Sequence, residues 1–191
     1  MPTIGVSIAI PSPHAEMLQA RRASFGDPLA ESIPTHVTLL PQTEVPQEEL
    51  EAVVKHLEEV AAQGHPFPMV LRGTGTFRPT SPVVFVQVSE GLAECEVLER
   101  AVRRGPLRRE LEFYYHPHVT VAHHVPEDNL DRAFKDLSDF ECSFEVVDFH
   151  LFEHGGHAFG LRRTKQPITR WPERMLEWLE SIGMIPAGRS S

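Results

Sequence analysis

Thr35-His36-Val37-Thr38-Leu39-Leu40 is met again, in altered form, as Pro117-His118-Val119-Thr120-Val121-Ala122. Each copy sets a His and a Thr two residues apart inside an apolar, β-branched run, the pattern of a strand. Side chains at i and i+2 of a strand point the same way, roughly 6.6 Å apart. His36 and Thr38 therefore share one face, with Val37 and Leu39 on the other. His118 and Thr120 share a face in the same way, backed by Val119 and Val121. A polar pair fixed on one face and backed by a buried one is how a strand presents reactive groups.

The repeat extends beyond the motif. Val45-Pro46-Gln47-Glu48-Glu49-Leu50 follows the first copy and Val125-Pro126-Glu127-Asp128-Asn129-Leu130 the second. Each opens a helix with acids in its first turn, where the helix dipole favours them. Leu50, Val53, Val54 and Leu57 form one apolar stripe, and Leu130, Ala133, Phe134 and Leu137 repeat it 80 residues later. The spacing predicts two similar lobes related by a pseudo-two-fold axis, with His36 and His118 facing each other across a groove.

Around this repeat the sequence predicts a strand over 3–10 and a helix over 14–24 with Ser12 as N-cap and Pro13 at N1. Strands follow over 67–77 and 83–88, joined by the turn 78–82, then a helix over 91–103. One strand over 143–152, another over 157–162, a helix over 172–182 and a flexible tail over 183–191 complete it. Residues 1–182 read as a single bilobal domain, in keeping with a length of 191 residues.

The net charge is −9, which excludes a protein that grips duplex DNA through many phosphates. Positive charge is local: Arg21-Arg22, the group Arg100, Arg103, Arg104, Arg108 and Arg109, and Arg162-Arg163. A small anion or a strand end suits that distribution. Two cysteines, Cys95 and Cys142, are too few for a disulfide framework and read as buried free thiols. The run Ile4 to Ile10 is too short for a membrane span and has no basic residues before it, so the expectation is a cytoplasmic chain.

His-x-Thr once is a weak signal, because Thr is simply a good strand former. Twice, with matched downstream context, it resembles the 2H phosphoesterase superfamily, and most closely its bacterial 2′-5′ RNA ligase branch, also called RNA 2′,3′-cyclic phosphodiesterases. The resemblance rests on Ile33-Pro34-Thr35-His36-Val37-Thr38-Leu39 and His116-Pro117-His118-Val119-Thr120-Val121, and it covers the chain to about residue 165. It implies an α+β bilobal fold, with two antiparallel sheets around a central cleft and helices outside. It further implies phosphodiester chemistry without metal or cofactor, carried by His36, Thr38, His118 and Thr120. The expected partner is an RNA 2′,3′-cyclic phosphate end or a small cyclic nucleotide, acted on by a monomer.

Such chemistry suits these residue types. One imidazole can activate water while the other protonates the departing ribose oxygen, since His titrates near neutrality. The Thr hydroxyls can donate to the non-bridging oxygens. Phe77, Tyr114 and Tyr115 are candidates for base stacking, and Arg162 for substrate contact. The chain departs from the family at Ala122-His123-His124, where Ala-Arg is frequent, leaving the Arg cluster before the second motif or Arg162-Arg163 as substitutes. Three rival readings predict other outcomes: a metallohydrolase built on His116, His118, His123 and His124, a nucleotide- or RNA-end-binding module without turnover, and a ligase running the same chemistry in reverse.

Overall fold

The computed structural model describes residues 2–153. The strand expected over 157–162, the helix over 172–182, the tail and Arg162 lie outside them. The described residues form seven strands and four α-helices: β1 (Thr3–Ala9), α1 (His14–Ser24), β2 (His36–Glu44), α2 (Leu50–Gln63), β3 (Phe67–Thr76), β4 (Val83–Glu90), α3 (Leu92–Val102), β5 (His118–His123), α4 (Glu127–Asp136), β6 (Glu141–Val146) and β7 (His150–Glu153). The strands form one antiparallel sheet in the order β6-β3-β4-β5-β2-β1-β7.

The two expected lobes are the two halves of that sheet. One carries β2, β1 and β7, the other β5, β4, β3 and β6. They meet between the two motif strands at a single residue pair, Val37 opposite Val119. The two sheets anticipated from the sequence are thus continuous through this seam.

Burial follows the repeat residue by residue. From the His onward, the first five positions of β2 and β5 alternate identically, with Val37, Leu39, Val119 and Val121 fully or almost fully buried. In the helices, Leu130, Ala133 and Leu137 are buried, as are Val53 and Leu57, with Leu50 packed at the edge of the core. Val54 and Phe134, related by the same offset of 80, are both partly exposed, at 43% and 38%. The apolar stripe is therefore narrower than the periodicity implied, and by the same residue in each lobe.

Two local expectations change. Ser12 does not cap α1: its hydroxyl donates to the Glu16 carboxylate, and no side chain caps the helix. The single strand over 143–152 is two strands, β6 and β7, separated by Val147-Asp148-Phe149. β6 pairs with β3 on one side of the sheet and β7 with β1 on the far side. Within β3, Gly73 takes a left-handed φ of +64° where the register with β4 shifts between Leu71 and Thr74. Both cysteines are free and buried, and burial pushes the Cys95 thiol up to about 12.

Candidate active site

Antiparallel pairing of Val37 with Val119 dictates what happens on either side of it. The next positions along the register set His36 across from Thr120 and Thr38 across from His118. Because the two valines point into the core, all four polar residues point to the opposite face. They line one small cavity, together with Arg22 and Thr35. The four residues predicted from the motif are brought together as the symmetry required.

The two imidazoles are held alike. His36 Nδ1 lies 2.8 Å from the Pro34 carbonyl and His118 Nδ1 lies 2.7 Å from the His116 carbonyl. A carbonyl oxygen only accepts, so each Nδ1 carries the hydrogen. This fixes the tautomer in which the exchangeable lone pair belongs to Nε2. His118 is also walled by rings, with Phe77 edge-on at 4.9 Å and Phe85 at 5.0 Å between centroids. Removal from water is the main cause holding its pKa below 6.5. The His116 carbonyl pulls the other way, and the nearby His116 and His36 rings add to the lowering.

Helix α1 positions the first motif. Gln19 donates to the Ala30 and Ile33 carbonyls and accepts from the Thr35 amide at 2.9 Å. Arg22 donates from Nη1 to the Ile33 carbonyl at 3.1 Å and from Nε to Asp27 Oδ2 at 2.8 Å. Asp27 in turn accepts from the amides of Leu29 and His123. One carboxylate therefore ties the turn after α1 to the end of β5 in the other half of the sheet. Position 123 is a backbone anchor for the Arg22–Asp27 pair here.

The other candidates distribute differently. Phe77 stands beside His118 and packs on Phe85 at 4.5 Å. Tyr115 packs against the core, and its hydroxyl donates to the Thr38 carbonyl at 2.9 Å, steadying β2 beneath the motif. Tyr114 is wholly exposed. From the Arg cluster, Arg103 is paired with Glu99, and Arg109 donates to Thr43. His123 and His124 stack on each other at 3.6 Å, and among the described residues no three His, Cys, Asp or Glu converge as metal ligands. The residue that sequence reasoning missed is Arg22. Its neighbours Arg21 and Ser24 give it the look of a solvated helix face, and only its burial separates it from them.

A sheet halved at two His-x-Thr strands, with both pairs on one cavity, is the architecture of the two-histidine phosphoesterases. Residues 10–158 match the 2′-5′ RNA ligase superfamily, and the chain belongs to that family. It is 32% identical to a “Putative phosphoesterase” of Bacillus cytotoxicus over 129 residues, covering 65% of this chain and 73% of that one. A protein of the same description from Halalkalibacterium halodurans is 31% identical over 143 residues, covering 75% of this chain and 82% of that one. In structure the chain resembles E. coli LigT crystallised with 3′-AMP, with a TM-score of 0.59 at 20% identity, covering 80% of this chain and 88% of LigT. The protein is a phosphoesterase of the two-histidine kind, and no helix among the described residues is long and apolar enough to cross a membrane.

Proposed function

We propose that the protein hydrolyses 2′,3′-cyclic phosphates on RNA ends or small nucleotides, with His36 and His118 as the acid–base pair. The observation that carries this reading is the seam: Val37 opposite Val119, with both His-x-Thr pairs lining one cavity. His118 is the base. Its desolvated ring favours the neutral form, and its Nε2 takes a proton from water. The water oxygen bonds to phosphorus in line with the departing ribose oxygen. That P–O bond breaks, and imidazolium His36 gives its Nε2 proton to the oxygen leaving. The product is a phosphomonoester with a free neighbouring hydroxyl. Thr38 and Thr120 donate to the non-bridging oxygens, where transition-state charge gathers. The 3′-AMP held by LigT is a phosphomonoester of the class this reaction releases.

The test is hydrolysis of a short RNA ending in a 2′,3′-cyclic phosphate, with EDTA present. Wild type should turn over, and His36→Ala and His118→Ala should lose nearly all activity. Thr38→Val and Thr120→Val should each lose about tenfold to a hundredfold, the worth of one hydrogen bond to a charged group. Activity abolished by EDTA would return the site to the metallohydrolase reading. Saturable binding of the RNA without product would make the chain a binding module.

A further inference from the structure

Arg22 is only 4% exposed, yet it lines the cavity between the two His-Thr pairs. A guanidinium has five N–H donors. One placed solely to balance Asp27 would sit on it through two parallel bonds. Here Asp27 receives only Nε from the guanidinium, and its two oxygens also accept from the His123 and Leu29 amides. Nη1 turns to the Ile33 carbonyl, and Nη2 donates to no described residue. The group is held rigidly from behind with donors to spare.

Thr35 supplies a second, independent sign. It is 3% exposed and lines the same cavity, and its hydroxyl is the single buried side-chain polar atom among the described residues with no hydrogen-bond partner. A buried hydroxyl left unpaired destabilises the fold until an acceptor reaches it. The residues lining the cavity are Arg22, Thr35, the two His and the two motif Thr. Every one can donate and none is a carboxylate, so the complement of this wall is an anion rich in acceptor oxygens.

We infer that Arg22 and Thr35 are phosphate-binding residues: the guanidinium and the Thr35 hydroxyl donate to non-bridging oxygens of a phosphoryl group seated between the two His-Thr pairs. This rests on reading the cavity as a phosphodiester site. It adds to that reading a fixed positive charge, supplied from α1 and from neither motif. Asp27 and the Ile33 carbonyl act as positioning groups behind it.

The experiment is calorimetric binding of inorganic phosphate and of adenosine 3′-monophosphate, with adenosine as the uncharged control. Wild type, Arg22→Lys and Thr35→Val are compared, and Tm is recorded for each. Arg22→Lys, which keeps the charge but loses the fork, should bind both phosphates about tenfold to a hundredfold more weakly. Thr35→Val should lose affinity by a smaller factor while its Tm holds or rises, since it removes an unpaired hydroxyl. A merely structural Thr35 would not weaken binding as it stabilises. Should Arg22→Lys fail to fold, Thr35→Val alone decides the matter. Variants that fold and bind both phosphates as wild type does would overturn the inference, as would a wild type that binds neither at millimolar concentration. Weakened binding in the variants beside a wild type that turns over no cyclic phosphate would keep the anion wall and remove the hydrolytic reading.

Discussion

At His118 two influences oppose each other. Burial against Phe77 and Phe85 lowers its pKa, while the His116 carbonyl supports the charged form, and burial is the larger. The sign of the consequence follows from linkage. Between the native pKa and 6.5 the unfolded chain binds more protons at this position than the folded one, so this contribution to stability falls as pH drops through that window. With His118 as the proposed base, the rate should have the same acidic limb, because a base must be neutral. In wild type, log kcat/KM should therefore begin to fall only at a pH below 6.5, and Phe77→Ala, which admits water to the ring, should move that limb upward. A limb unchanged by Phe77→Ala would mean that the aromatic wall does not set the protonation of His118. His118 was legible in the motif; its tautomer came from the His116 carbonyl beside Nδ1. The wall was not legible, since Phe77 and Phe85 lie on strands whose meeting depends on long-range register.

The elements explain why that wall is tight. Gly75 of β3 crosses Phe85 of β4 as its register partner. A Cβ built on Gly75 would lie 2.5 Å from Phe85 Cε2 and 2.6 Å from Cζ. Phe85 is a buried ring in contact with His116, His118 and Phe77, so it has little room to yield. Gly75→Ala should cost about 1–3 kcal/mol, the usual penalty for overpacking a core. It should also lower kcat/KM from a position that meets no substrate, because the displaced ring carries His118 with it. Thermal unfolding and kinetics measured on one preparation check both halves. A loss of Tm with kcat/KM intact would show that Phe85 yields away from the site. In the sequence, Gly73 and Gly75 are simply two glycines inside the one strand expected over 67–77. Their separate uses, a left-handed φ at Gly73 and a close ring at Gly75, belong to pairings that periodicity does not reveal.

Across the whole molecule, the repeat made the two-lobed plan legible because each lobe writes its own amphipathic pattern. The way the lobes join was not legible. Their seam is one residue pair, and one buried link across it is the chain of contacts from Ile33 through Arg22 and Asp27 to the His123 amide, beside the bonds from Tyr115 to Thr38 and from Arg109 to Thr43. Charged residues in a helix with Arg21 and Glu16 read as surface, and no local pattern distinguishes a buried Arg from an exposed one. That buried link can be weighed against an ion pair that merely decorates the surface. Arg22 and Asp27 have side chains 5% and 0% exposed, whereas Arg72 and Glu141, also 2.8 Å apart, are 60% and 55% exposed. Asp27→Asn leaves a buried guanidinium without its counter-charge, a change that costs about 3–5 kcal/mol. In a chain of this size that is a fall in Tm on the order of 10 °C. Arg72→Ala removes a solvated, screened pair and should shift Tm by a few degrees at most. Equal shifts in the two variants would mean that the Arg22–Asp27 link does not brace the halves. A large shift for Asp27→Asn alone, with phosphate affinity reduced in whatever fraction remains folded, would tie the stability of the seam to the cation at its centre.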